Sequence, residues 1–297
     1  MKRIIFAGVM LVALGYICFF AYYNNAQTPE GLSFETLFRY LGQPVKTVDR
    51  SITRVLGVNA KNERELGDVL AQNMEKNQVV GMLAEKAYVN SVIQELQTQY
   101  NPKELNYRVF IFHGEPNAFA LPGGIIVVTT GMLQLLNSEA ELVGILGHEK
   151  GHIDLGHCID HMRIQAKTYQ SSFGAFLDWY LATMLNHTFS KFQENEADRF
   201  GFESLIALQY DPGALSEAFD LMLSKYPQES ERTLDILKDY TMTHPSLRIR
   251  AENWREKANR FKQQHPELNY YIGQQNYQLR KSRDESNIPN EWQTPRN

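Results

Sequence analysis

Residues 138–163 read SEAELVGILGHEKGHIDLGHCIDHMR, and the rest of the chain is organised around them. Ser138 and Glu141 form an S-x-x-E capping box, and Leu142, Ile145, Leu146 and Ile153 recur at helical spacing. The stretch is therefore expected to be a capped helix, partly buried along one face. Residues four apart on a helix lie one turn along nearly the same face. His148 and His152 can thus chelate one cation, with Glu149 flanking it.

The pattern H-E-x-x-H on a helix points to a hydrolytic zinc site. Two imidazoles do not complete such a site, because catalytic zinc takes three protein ligands and leaves one position for water. The extended pattern with a Gly and a third His at fixed offsets is not met: Leu155 and Cys158 occupy those places, and Gly156 and His157 are each one residue off. The better third ligand is Glu194, within SKFQENEADRFGFE (190–203). That segment reads as a second helix on which Glu194 and Asp198 are one turn apart, so one carboxylate can bind metal while the other accepts the free N–H of a ligating imidazole. His157 and His161, further along the first helix, are expected to fall away from the chelating face and to support a ligand or lie at the surface instead of ligating, and Glu196 is read as a solvent-facing neighbour of Glu194. Zinc on such a set acidifies a water and polarises a carbonyl, and Glu149 can carry the proton to a leaving amine. The expected chemistry is amide hydrolysis without a covalent intermediate.

On PNAFALPGGIIVVTTGML (116–133), HEKGH (148–152) with His157 following, ENEAD (194–198) and HPSLRIR (244–250), the chain resembles the gluzincin zinc metallopeptidases of family M48. This is the group of the CAAX prenyl proteases, HtpX and the periplasmic BepA-type proteases, and the resemblance is to the BepA-like type. It implies an α+β, mainly helical, zincin-like domain with a small β-sheet and an HExxH active-site helix. It further implies one Zn2+ per chain on His148, His152 and Glu194, Glu149 as general base, and Asp198 behind a ligand. Asn117, Ala118, Phe119 and Ala120 are implied to lie along the cleft and pair with extended substrate; the other reading is a plain loop between two strands. His244 is implied as an additional, inhibitory zinc ligand, against a substrate-contacting or ordinary loop histidine. Arg250 is implied to face the reacting carbonyl as an oxyanion donor, against an ordinary salt-bridging arginine.

The chain of 297 residues is 43% hydrophobic and 22% charged, which suits one sizeable domain plus an anchor and tails. A net charge of −4 with no basic stripe gives no sign of a nucleic-acid partner. Ile4 to Tyr23 are all apolar or glycine and follow Lys2 and Arg3, so residues 1–26 are expected to be a signal anchor, with a cleaved signal peptide as the alternative. The catalytic domain would then be extracytoplasmic, membrane-anchored or secreted, and periplasmic in a Gram-negative source. Cys18 and Cys158 provide no disulfide framework.

Residues 27–60 are read as a tether, 61–265 as the zinc protease domain, and 266–297 as a polar, disordered tail. Within the domain, 62–100 carries helical periodicity interrupted at Gly81, and its Met and Leu stripe is read as core. Tyr107–Phe112 and Ile125–Thr130 read as strands. Tyr169–His187 is aromatic-rich and reads as a lid, a membrane-surface contact or core. Helices are expected over Asp211–Tyr226 and Pro245–Phe261. The leading functional expectation is a zinc endopeptidase acting on unfolded, misfolded or unassembled proteins. A chaperone or assembly factor that uses the same cleft with little cleavage is the alternative. Prenyl-peptide processing is disfavoured by the absence of several spans.

Overall fold

The computed structural model describes residues 60–75, 83–168, 189–225, 244, 247–283 and 291–293. The chain divides into Met1–Val48 and Asp49–Asn297, and every described residue belongs to the second unit. The expected anchor, nearly all of the tether, and the aromatic stretch 169–187 lie outside the described residues.

Two helices, α1 (Ala60–Glu75) and α2 (Leu83–Gln99), precede a three-stranded sheet of β1 (Arg108–Phe112), β2 (Ala118–Leu121) and β3 (Ile125–Thr129). β1 runs parallel to β3, with Arg108 opposite Ile125 and Phe112 opposite Thr129. β2 is antiparallel to β3, with Ala118 opposite Val128, and lies at the sheet edge. The antiparallel connection is the Pro122-Gly123-Gly124 turn, where φ values of 83° and 86° require glycine.

β3 is buried along its whole length, as its uninterrupted IIVV run requires of a strand covered on both faces. Ile126 and Val128 join Val109, Ile111 and the large cluster formed with α2 and the later helices. Ile125 and Val127 join Phe110, Leu121 and the α1 residues Leu66, Leu70 and Met74 in a second cluster. The Leu and Met stripe of α1 is thus core. The fold is α+β and mainly helical.

After the short helix α3 (Thr130–Leu135), the stretch from Ser138 onward forms two helices instead of one, α4 (Glu139–Asp154) and α5 (His157–Thr168). The break is at Gly156, whose φ of 85° is a left-handed conformation that ends helices readily at glycine. α4 is buried on every side from Glu139 to Ile153, a core helix where a half-buried one was expected. There follow α6 (Lys191–Ala207), α7 (Ala214–Lys225) and α8 (Leu247–Gln264).

The segment expected to be a disordered tail carries β4 (Tyr270–Tyr271), α9 (Gln274–Leu279) and β5 (Trp292–Gln293). Its polar residues are ordered by buried partners. The Glu291 carboxylate accepts the N–H groups of Gln274, Gln275 and Asn276, and Asn276 donates to buried Glu139 at 2.7 Å. Among the described residues no helix is long and apolar enough to cross a membrane.

Candidate metal centre

The start of α4 is fixed by Ser138, whose hydroxyl accepts the Glu141 N–H at 3.2 Å. The Glu141 carboxylate reaches back to the Asn137 N–H at 2.6 Å, one residue before the position a strict capping box would use. α6 begins with a full capping box between Ser190 and Gln193. The two helices then meet almost backbone to backbone. A Cβ built on Gly147 would lie 3.0 Å from Gly201 Cα, and one on Gly201 would lie 2.8 Å from the Gly144 carbonyl oxygen. That close approach brings Glu194 and Asp198 of α6 to the histidines of α4.

His148, His152, Glu194 and His244 form one buried group, each offering a ligand atom within 4.8 Å of the others. His148 Nε2 stands 3.2 Å from His152 Nε2 and 3.2 Å from His244 Nδ1. Glu194 oxygens lie 3.6 Å from His148 Nε2, 3.3 Å from His152 Nε2 and 3.0 Å from His244 Nδ1. Donors 2.0–2.1 Å from a tetrahedral zinc stand roughly 3.3 Å apart, so the residues present fit that ion. The fourth corner of the arrangement is His244 Nδ1.

Glu149 is fully buried, and neither of its carboxylate oxygens has a hydrogen-bond partner among the described residues. Its Oε1 lies 3.5 Å from His244 Nε2, so the His244 ring stands between the ligand atoms and this carboxylate. Burial raises the Glu149 pKa. Burial also lowers both chelating imidazoles, His152 to about 4, which keeps their lone pairs unprotonated at neutral pH. For Glu194, burial acts upward but is outweighed by His244 and Arg250, and its carboxyl is held well below the usual range. In His244 the downward pull of burial is overcome by Glu194 and Glu149, and its pKa is raised.

Asp198 accepts from or faces three partners: His148 Nδ1 at 2.8 Å, Trp254 Nε1 at 2.9 Å and the Arg250 guanidinium at 2.5 and 2.7 Å. Arg250 Nη1 also lies 2.7 Å from Glu194 Oε2, and the guanidinium stacks over Phe219 at 4.5 Å. Arg250 thus bridges the two carboxylates, the contact expected of a salt-bridging arginine. Trp254 was missed in the sequence, although it lies one turn from Arg250 on α8. Phe189, also missed, stacks on the His152 ring at 3.9 Å and 25°. Glu196 was expected to face solvent; its Oε2 instead lies 3.3 Å from His157 Nε2, with 18% of its side chain exposed. His161 is buried on α5 and is not a member of the four-residue group.

Asn117 to Ala120 form the entry and body of the edge strand β2. Asn117 is held by Thr129, whose Oγ1 accepts its N–H at 2.9 Å and whose N–H donates to its carbonyl at 3.0 Å. The buried Asn117 Oδ1 has no hydrogen-bond partner among the described residues. The Ala120 carbonyl faces the Cys158 thiol at 3.6 Å.

A family model for peptidase family M48 matches residues 83–258. Among curated proteins, the chain is 32% identical to the mitochondrial metalloendopeptidase OMA1 of Arabidopsis thaliana over 46% of its own length and 28% of that protein's. It is 26% identical to the metalloprotease LoiP of Escherichia coli over 66% of this chain and 80% of LoiP. It is 25% identical to the beta-barrel assembly-enhancing protease of Escherichia coli over 59% of this chain and 39% of that protein. The chain thus spans well under half of two of these relatives and most of the third.

Proposed function

The chain belongs to peptidase family M48 and is a metalloprotease, and from that premise we propose that it is a zinc endopeptidase cleaving unfolded, misfolded or unassembled proteins outside the cytoplasm. The observation that carries this reading is the buried set His148, His152 and Glu194 beside a Glu149 carboxylate with no hydrogen bond of its own among the described residues. Zinc, when bound there, polarises the scissile carbonyl and acidifies a water. Glu149 accepts the proton of the attacking water and hands it to the leaving amine, a task suited to a carboxylate whose pKa burial has raised. Asp198 holds the Nδ1–H of His148, and Arg250 keeps both Asp198 and Glu194 ionised and oriented. The edge position of β2 suits pairing with an extended peptide, which gives grip without close reading of sequence.

His244 is proposed to hold the resting enzyme closed, because its Nδ1 takes the corner that a catalytic site leaves to water. Withdrawal of the His244 ring opens the site. The Ile4–Tyr23 segment with Lys2 and Arg3 supports an extracytoplasmic location, and the name of one Escherichia coli relative, a beta-barrel assembly-enhancing protease, suits a role in barrel assembly. The alternative, a client-holding factor with little cleavage, draws on the closed position of His244.

The test is metal content and casein cleavage of the purified chain, its Glu194→Ala variant and its Glu149→Gln variant. About one zinc per chain, lost in Glu194→Ala, with cleavage lost in Glu149→Gln, supports the protease. Cleavage unchanged in Glu149→Gln overturns it.

A further inference from the structure

We propose that Glu196 and His157 are positioning residues that fix the proton of His152 on Nδ1 and so aim its Nε2 lone pair at the metal; this rests on the metal reading above. His157 Nδ1 lies 3.1 Å from His152 Nδ1, and His157 Nε2 lies 3.3 Å from Glu196 Oε2. Two ring nitrogens at that separation need one proton between them. A proton on His157 Nδ1 would push the His152 proton onto Nε2, among the ligand atoms of His148 and Glu194, and that nitrogen would then be unable to ligate. With the proton of His157 on Nε2, every group is served. Glu196 accepts from His157, His157 Nδ1 accepts from His152 Nδ1–H, and His152 Nε2 is left with a lone pair.

The arrangement parallels that of His148, whose Nδ1 is held directly by Asp198 at 2.8 Å. Each chelating imidazole of α4 is thus tied to a carboxylate of α6, one in contact and one through an intervening ring. Such outer partners of metal-binding histidines typically contribute roughly 10- to 100-fold to metal affinity. The turn at Gly156 makes the second tie geometrically available: on a continuous helix His157 would point away from His152, whereas α5 starts at His157 in a new direction. Phe189, stacked on His152, sets the plane of the ring but provides no acceptor for its N–H.

The experiment measures the zinc affinity of the full chain by chelator competition for wild type, Glu196→Ala, Glu196→Gln, His157→Phe and the double variant His157→Phe/Glu196→Ala. The metal-free proteins are checked for unaltered unfolding. Glu196→Ala and His157→Phe are each expected to bind zinc roughly 10- to 100-fold more weakly, with Glu196→Gln, which keeps an acceptor oxygen, less affected. The double variant should be no weaker than His157→Phe alone, because Glu196 reaches His152 through His157. Wild-type affinity in Glu196→Ala, or losses that simply add, overturns the proposal. Should His157→Phe fail to fold, Glu196→Ala at its partly exposed helical position decides alone. If the wild type itself binds no zinc, the metal reading fails. The relay is then judged by 15N NMR of the histidines, where His152 carrying its proton on Nδ1 in wild type but not in Glu196→Ala sustains it and an unchanged tautomer sinks it.

Discussion

The Glu149 carboxylate is buried among charged and ligating groups yet accepts no hydrogen bond from a described residue, a state that costs free energy unless a bound molecule supplies the missing donor. A reacting water is the donor that the chemistry requires. Replacing Glu149 by Gln keeps the shape and removes the base. Cleavage of unfolded casein should fall by roughly 10²- to 10⁴-fold with zinc content unchanged. His244 is expected to act in the opposite sense. Three ligands suffice for catalysis, so His244→Ala should keep its zinc and cleave casein faster than wild type; loss of zinc with no gain in rate would make His244 an obligatory ligand. At this scale the sequence was most legible where the spacing is local. His148, Glu149 and His152 follow from one turn of helix, while Trp254, Phe189 and the tie from Glu196 to His157 depend on how separate elements meet.

α4 and α6 carry the whole ligand set apart from His244, and their contact is made by glycines. A Cβ on Gly201 would stand 2.8 Å from the Gly144 carbonyl oxygen and 3.0 Å from the His148 amide nitrogen, closer than the backbone atoms of a helix can yield. Gly201→Ala therefore has to push α6 away from α4. The expected cost is about 1–3 kcal/mol in urea unfolding. Because Glu194 and Asp198 travel with α6, zinc affinity measured by chelator competition should fall as well. A Gly201→Ala protein with wild-type stability and affinity would show that the helices have slack at this crossing. The sequence predicted both helices, with the wrong end for the first. Gly156 was the signal for that end, since a glycine after a periodic stretch is a common stop. The apolar residues Ile159 and Met162 beyond it mask that stop. Once the helix is broken there, His157 no longer falls away from His152, and the expectation that Glu196 faces solvent falls with it.

Over the molecule as a whole, the C-terminal segment is stitched to the start of the metal-binding helix. The first N–H groups of α4, which have no partner within the helix, are satisfied from that segment: Glu139 N–H donates to the Gly273 carbonyl and Ala140 N–H to that of Ile272, each at 3.0 Å. The Glu139 carboxylate is fully buried at this junction. It accepts from Tyr88 at 2.9 Å, Tyr210 at 2.8 Å and Asn276 at 2.7 Å, groups brought by α2, the turn that follows α6, and α9. A polar composition hid this order from the sequence, because Asn276 and Glu291 there serve buried partners. Burial, opposed in part by the tyrosine hydrogen bonds, raises the Glu139 pKa from 4.5 to about 7. A carboxyl raised on folding contributes stability that is full below pH 4.5 and is lost as pH climbs through 7, by on the order of 3 kcal/mol at 1.36 kcal/mol per unit. Glu139→Gln removes that titration. Glu141, raised to about 7 by burial, titrates in both proteins and cancels in the comparison. The stability of wild type relative to Glu139→Gln, from urea unfolding at pH 5 and pH 8, should therefore fall as pH rises, with the wild type losing ground to the variant. A difference that stays level across that interval would mean that Glu139 is already ionised at pH 5, held so by its three donors and by the N-terminus of α4 on which it sits.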